Sequence, residues 1–220
     1  MKKLVIWDFD GVIADTEKLW VQSRIEMLSE YFGINWNFET AMKNIGGMSD
    51  KDKKDVLEKL GIHTDDDFWK EALFRDKNKA SNGFALTDHI ECIFKNEKIN
   101  QCIATGGVWE KTKNKIKIVD IGKYFPDEKI FTVDMVDKGK PEPDIFLLAA
   151  EKMGYKPQDC IVIEDSVAGL TAALKAKMTP VAFVKYSKYY YLDDIKALGI
   201  KNIFDDMCDV EKFILSNILN

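Results

Sequence analysis

Asp8 and Asp10 stand two residues apart, directly after the short apolar run Leu4–Trp7. In an extended chain that spacing puts both side chains on one face, and Gly11 lets the backbone turn sharply after them. Two carboxylates held so close repel each other unless a cation neutralises them or one keeps its proton. Three further places offer complementary chemistry. The run Cys102–Ala104 is followed by Thr105-Gly106-Gly107, a hydroxyl with two backbone amides. Ile130–Val133 leads into Asp134 and then Lys138-Gly139-Lys140-Pro141. Cys160–Ile163 ends in Glu164-Asp165-Ser166, where a helix opens at once. Asp8, Asp10 and Asp165 are oxygen donors of the kind that hold Mg²⁺, with waters and a phosphate completing its shell. Thr105, the Gly106-Gly107 amides and Lys140 supply a hydroxyl, N–H groups and positive charge for a phosphoryl group. The helix N-terminus after Asp165 adds partial positive charge. An aspartate pair alone often marks a solvated strand end, and LysProGluPro a rigid loop. All of these features in order, each after a strand-sized run, are hard to reproduce by accident.

The elements that must position these residues are readable from the hydrophobic pattern. Leu4–Trp7, Cys102–Ala104, Ile130–Val133, Cys160–Ile163 and Pro180–Val184 are continuous apolar runs, as in strands buried on both faces. Helical segments alternate with them: Val108–Val119, Asp144–Met153 ended by Gly154, and Val167–Ala176. This rhythm predicts an α/β core, a Rossmann-like parallel sheet with ligands beyond the carboxyl ends of its strands. Residues 15–83 break the rhythm. Asp15–Phe32 carries apolar residues at helical spacing and stops at Gly33. Ser49 with Asp52 predicts an N-cap for a helix closed by Gly61, and Thr64 with Asp67 repeats the signal. The Lys/Asp run Ser49–Asp55 reads as a solvated helix face. Trp20, Trp36 and Trp69 lie in this block and can build a small core of their own. The expected division is therefore residues 1–14 with 84–220 as the core, and an inserted all-helical domain over 15–83.

Composition narrows the chemistry. The 220 residues carry 32 Lys plus Arg against 37 Asp plus Glu, a net charge of −5. That balance gives no general attraction to nucleic acid or to an anionic membrane surface. No apolar stretch nears the ~18 residues of a membrane helix. The N-terminal apolar run is too short for a signal peptide, so a cytoplasmic location is expected. With two histidines, His63 and His89, a His-rich zinc site would need both. Both read as surface or capping residues. Cys92, Cys102, Cys160 and Cys208 form no CxxC pair and read as reduced, buried thiols. Carboxylates, lysines and hydroxyls are left to carry any reaction.

Asp8–Glu17, Ala104–Gly107, Gly139–Asp144 and Glu164–Leu170 resemble the four motifs of the haloacid dehalogenase-like hydrolases. They are most similar to the subgroup with a helical cap after the first motif, which contains phosphoglycolate phosphatases and β-phosphoglucomutases. The resemblance covers nearly the whole chain. It implies that Asp8 attacks phosphorus and forms an aspartyl-phosphate. It implies that Asp10 protonates the leaving oxygen and then deprotonates the hydrolytic water. Mg²⁺ would be held by Asp8, the Asp10 carbonyl and Asp165, with Glu164 beside them as ligand or in support. Thr105, Gly106 and Lys140 would grip the phosphoryl oxygens. Gly46, Gly47 and Met48 would form a specificity loop in the cap, with hinges at Asp15–Glu17 and Asn82–Gly83.

Some positions depart from the pattern of the family. Trp7 stands where a smaller residue is usual, which bears on packing. Gly106 and Gly107 replace side chains common after the Thr105 position. Lys177 replaces a glycine common before Met178, which bears on where that helix ends. The implied activity is a Mg²⁺-dependent phosphatase for a small phosphorylated metabolite, acting as a monomer or weak homodimer. A phosphomutase acting on a hexose phosphate is the alternative, and the lack of histidine between Asp15 and Phe32 tells against it. Dehalogenation does not fit a second aspartate. A phosphonatase would need a Schiff-base lysine in the cap, where lysines are plentiful, and that alternative stays open. A non-catalytic phosphate-binding fold would not need all four motifs intact.

Overall fold

The computed structural model describes residues 3–46, 48, 50–81 and 83–218. Gly47 of the expected specificity loop, Ser49 of the expected cap and Asn82 of the expected hinge lie outside the described residues. In chain order the elements are β1 (Leu4–Trp7), α1 (Glu17–Phe32), α2 (Phe38–Ile45), α3 (Asp50–Lys59), α4 (Asp66–Ser81), α5 (Ile90–Phe94), β2 (Asn100–Thr105) and α6 (Trp109–Ile118). They continue with β3 (Ile130–Thr132), α7 (Asp144–Met153), β4 (Cys160–Glu164), α8 (Val167–Lys175), β5 (Thr179–Phe183), α9 (Lys188–Ala197), β6 (Ile203–Phe204) and α10 (Met207–Ile218). The chain divides into two compact units, residues 1–15 with 85–220 and residues 16–84.

The first unit is a six-stranded parallel sheet in the order β3-β2-β1-β4-β5-β6. Connections from β1 run outward through β2 and β3, then return to β4 on its other side. The strand order reverses between β1 and β4, which is where open α/β sheets bind ligands. The five expected strands are present and the sheet is parallel, with ends shifted by one or two residues. The sixth strand, β6, has two residues, too few to leave a periodic signal. Leu4, Ile6, Cys102, Cys160 and Val162 are fully buried against Phe146 and Ala149 of α7. Gly154 ends α7 at φ 77°, with the Tyr155 N–H donating to Ala150 O at 2.8 Å, a Schellman closure. Trp7 is fully buried; its indole N–H donates to Gln101 Oε1 at 3.1 Å, and its ring meets Phe94 edge-on at 5.6 Å. At Lys177 the backbone takes φ 60°, the left-handed turn that glycine would favour, so α8 stops at Lys175 despite the lysine.

The second unit contains α1–α4 and, among its described residues, no strand. Met27, Leu28, Ile45, Leu57, Phe68 and Ala72 form its core. Two expectations are corrected here. Asp65, not Thr64, caps α4, accepting from Phe68 N–H at 2.8 Å, because the Thr64 hydroxyl accepts from the Trp69 indole at 2.9 Å. The Lys/Asp run is not wholly solvated either, because Lys53 is buried and Asp50 reaches Arg24. Arg24 sits among the apolar residues of α1, 1% exposed. Its Nη1 and Nη2 donate to the two Asp76 oxygens at 3.0 and 2.7 Å, and its guanidinium lies 5.6 Å from the Trp69 ring centre.

Candidate active site

Asp8 leaves the end of β1 with its N–H donating to Ile163 O on β4 at 3.0 Å, which fixes its side chain at the switch point. The Phe9 carbonyl accepts from Ile13 and Ala14 N–H at 2.9 and 3.2 Å, folding the chain back immediately after Asp10. Gly11 makes that fold possible. Its φ is +77°, and a Cβ there would lie 2.1 Å from Asp165 Oδ2. The turn therefore seats directly against the carboxylate that follows β4.

Glu164 ends β4, almost fully buried, and each of its oxygens has a partner. Oε1 accepts from Lys140 Nζ at 2.7 Å; Oε2 accepts from Ser166 N–H at 2.7 Å and from Ser166 Oγ at 2.9 Å. Ser166 Oγ in turn caps α8, accepting from Gly169 N–H at 3.0 Å. Gly169 has no room for a side chain, since a Cβ would sit 1.8 Å from Glu164 Oε1. Lys140 Nζ donates also to Asp8 Oδ1 at 2.6 Å, so one ammonium joins the carboxylates at the ends of β1 and β4.

Asp8, Glu164 and Asp165 each bring a carboxylate oxygen within 4.8 Å of the other two. The Lys140 ammonium offsets one of those three charges, and oxygen donors at this spacing suit a hard divalent cation. Burial pushes the Asp8 carboxyl up to about 7; Lys140 pulls it down, while Glu164 and Asp10 push it further up. Burial also works against the Lys140 ammonium, but Asp8 and Glu164 outweigh it and hold its pKa above the ordinary lysine value.

The Asp10 carboxylate lies outside this group of three. It meets Lys115 of α6, whose Nζ donates to Oδ1 at 2.8 Å and to Oδ2 at 2.5 Å. Lys115 lies outside all four motifs of the sequence. Its signal is the spacing of Thr112, Lys115, Ile116 and Val119, all buried, which marks one inward face of α6 while Lys111 and Lys117 stay exposed. Thr105 is buried at the end of β2, and its Oγ1 accepts from Gly107 N–H at 3.2 Å, so this loop folds back on its own hydroxyl. Gly106 is exposed.

The remaining candidates lie elsewhere. Gly46 is buried in the second unit and ends α2, its N–H donating to Met42 O at 2.9 Å, and Met48 is half-buried. His63 is exposed against Glu58, and His89 pairs with Glu211 at 2.6 Å. Cys102 and Cys160 are buried as expected, and burial pushes the Cys160 thiol up to about 11. Cys92 is exposed and Cys208 half-buried, which corrects the expectation of four buried thiols. Both lie outside the sheet, on α5 and α10.

Comparison with known proteins places this geometry in a family. Among curated proteins, the phosphorylated carbohydrates phosphatase of Thermotoga maritima is 28% identical over 200 residues, spanning 88% of each chain. The fructose-1-phosphate phosphatase of Escherichia coli is 28% identical over 182 residues, which cover 80% of this chain and 94% of that enzyme. A haloacid dehalogenase-like protein of unknown function from Agrobacterium tumefaciens superposes with a TM-score of 0.86 at 23% identity, over 98% of this chain and 99% of its own, a likeness of fold. The family model for haloacid dehalogenase-like hydrolases matches residues 5–183. On the strength of that match, which spans the sheet from β1 to β5, the chain belongs to the haloacid dehalogenase-like hydrolases.

Proposed function

We propose that this chain is a Mg²⁺-dependent phosphoric monoester hydrolase that acts on a small phosphorylated metabolite through an aspartyl-phosphate at Asp8. One observation carries the reading. The Asp8, Glu164 and Asp165 oxygens converge around the sheet's switch point, with Lys140 bonded to two of them. Both curated relatives are named as phosphatases of sugar phosphates, in keeping with this substrate class.

In this mechanism an Asp8 oxygen attacks phosphorus in line, forming the acyl-phosphate O–P bond as the ester P–O bond breaks. Asp10, protonated at the start, gives its proton to the departing oxygen. It then accepts a proton from the water that attacks phosphorus, and Asp8 leaves as carboxylate. Lys140 and the loop of Thr105 and Gly106 hold the equatorial oxygens, where charge grows in the transition state. Glu164 orients Lys140. Asp8, Asp165 and the Asp10 carbonyl would hold Mg²⁺; when bound, it supplies the positive charge that lets a carboxylate approach an anionic phosphate. Residues 1–14 with 84–220 act as the catalytic core. Residues 15–83 act as a cap that excludes water, hinged at 15–17 and 82–83, with 46–48 as its specificity loop.

The test is turnover of an aryl phosphate by the purified chain. Release of orthophosphate that needs Mg²⁺ and falls by about 10⁴-fold or more in Asp8→Asn supports the reading. Turnover of equal rate in that variant sinks it. A panel of phosphorylated sugars, phosphoglycolate and nucleotides then identifies the substrate.

A further inference from the structure

Lys115 belongs to none of the four sequence motifs, yet it meets Asp10. It projects from α6 three residues after Thr112, on the helix face that packs under the Gly106-Gly107 loop. A Cβ at Gly107 would lie 3.0 Å from Thr112 Oγ1 and 3.7 Å from Lys115 Nζ. The ammonium lies 4.8 Å from the centre of the Phe9 ring and donates to both Asp10 oxygens. The Lys115 side chain is 10% exposed and the Asp10 side chain 29%.

A buried ion pair is weak evidence for stability, because the desolvation of both groups offsets their attraction. Here the pair does something else. An ammonium donates and never accepts, while each carboxylate oxygen has two lone pairs. Lys115, donating to both oxygens, therefore fixes the plane of the Asp10 carboxylate. The Phe9 ring holds the ammonium through its π-face, and Phe9 lies between Asp8 and Asp10 in the chain.

Building on the reading of Asp10 as the group that activates water, we propose that Lys115 is a positioning residue that orients Asp10 for hydrolysis of the aspartyl-phosphate. With an aryl phosphate the leaving phenolate needs little help from the Asp10 proton, so formation of the phosphoenzyme rests on Asp8 and Lys140, which Lys115 does not touch among the described contacts. Loss of Lys115 should therefore act on the second half of the reaction.

The experiment measures an aryl phosphate with Mg²⁺ in the wild type, Lys115→Met, Lys115→Arg, Asp10→Asn and the Lys115→Met/Asp10→Asn double variant. Quenched-flow sampling gives the phosphoenzyme fraction, and thermal melting reports folding. For Lys115→Met the expected result is a kcat lower by about 10–100-fold, part of the 10²–10⁴-fold that general acid–base groups contribute. KM should stay within about twofold or fall, as a slower second step lets phosphoenzyme accumulate. Lys115→Arg should recover kcat to within about tenfold, because its guanidinium can also donate to both oxygens. In the double variant, removing Lys115 should cost nothing beyond Asp10→Asn. An unchanged kcat in Lys115→Met overturns the proposal, and so does a fall in kcat without phosphoenzyme accumulation. Should Lys115→Met fail to fold, Lys115→Arg decides alone. A kcat lowered within about tenfold together with accumulated phosphoenzyme supports the proposal, and a folded variant whose kcat falls with no accumulated phosphoenzyme overturns it. Turnover surviving in Asp8→Asn would instead defeat the underlying mechanism.

Discussion

Asp8 sits where burial works against its charged form, and that has a measurable consequence. Burial raises its carboxyl to about 7, well above the ordinary value of 3.8, so without metal it is about half-protonated in neutral solution and mostly protonated in mildly acidic solution. Cation binding needs the ionised form, and proton and Mg²⁺ therefore compete for it. The expected result is Mg²⁺ affinity that weakens by up to about tenfold for each pH unit below about 7, read by titration calorimetry. Affinity that stays constant between pH 5 and 7 contradicts this assignment. Gly169 makes a second test at the same scale. Glycine to alanine within a helix ordinarily stabilises by about 1 kcal/mol. Here the new Cβ would lie 1.8 Å from Glu164 Oε1, so Gly169→Ala should destabilise by about 1–3 kcal/mol and lower activity as Glu164 is pushed off Lys140. Melting and kinetics on one preparation check both, and a rise in Tm with full activity argues against the packing described. The residues of this site differ in how plainly they show in the chain. Asp8, Asp10, Thr105, Glu164 and Asp165 come at or directly after strand-sized runs and Lys140 a few residues beyond one, and together that order makes them visible. Lys115 lies mid-helix among Lys111, Lys113 and Lys117, so composition hides it and only the helical period points inward.

At the scale of elements, buried strands and capped helices were legible because their signals are local. The runs that became β1 to β5 are apolar on both faces, and Gly33, Gly61 and Gly154 stop α1, α3 and α7 in left-handed turns. Contacts that depend on distant partners were not legible. The period of α1 puts position 24 inward, but nothing local says that an arginine there meets Asp76, which is 52 residues away. Thr64 likewise has the composition of a cap, and it loses that role to Asp65 only because Trp69 claims its hydroxyl. The buried pair yields a prediction for the helical unit. Asp76→Ala strands the Arg24 guanidinium, 1% exposed, without its bidentate partner. Such a loss should cost about 3–5 kcal/mol, seen as an earlier urea transition in the full chain. Arg24→Met combined with Asp76→Leu should regain most of it, since a well-packed apolar pair replaces a buried ionic one at little cost. A loss below about 1 kcal/mol would mean the pair behaves like a surface contact.

For the whole molecule, net charge and topology point to different ligands, and the proposed function follows topology. On the proposed reading, a chain of net charge −5 binds phosphate because local charge at a sheet's switch point outweighs the global balance. The scarcity of histidine fits a reaction run by carboxylates. No helix among the described residues is long and apolar enough to cross a membrane. The covalent role of Asp8 is the claim on which the remaining roles depend. Its most direct test is acid quenching of the 220-residue chain during turnover of an aryl phosphate with Mg²⁺, followed by proteolysis and mass spectrometry. The account predicts one phosphoryl group on the peptide that contains Asp8, labile to hydroxylamine as an acyl-phosphate is. Steady turnover with the phosphoryl group on another residue, or with Asp8 never labelled even when product release is slowed, would contradict it.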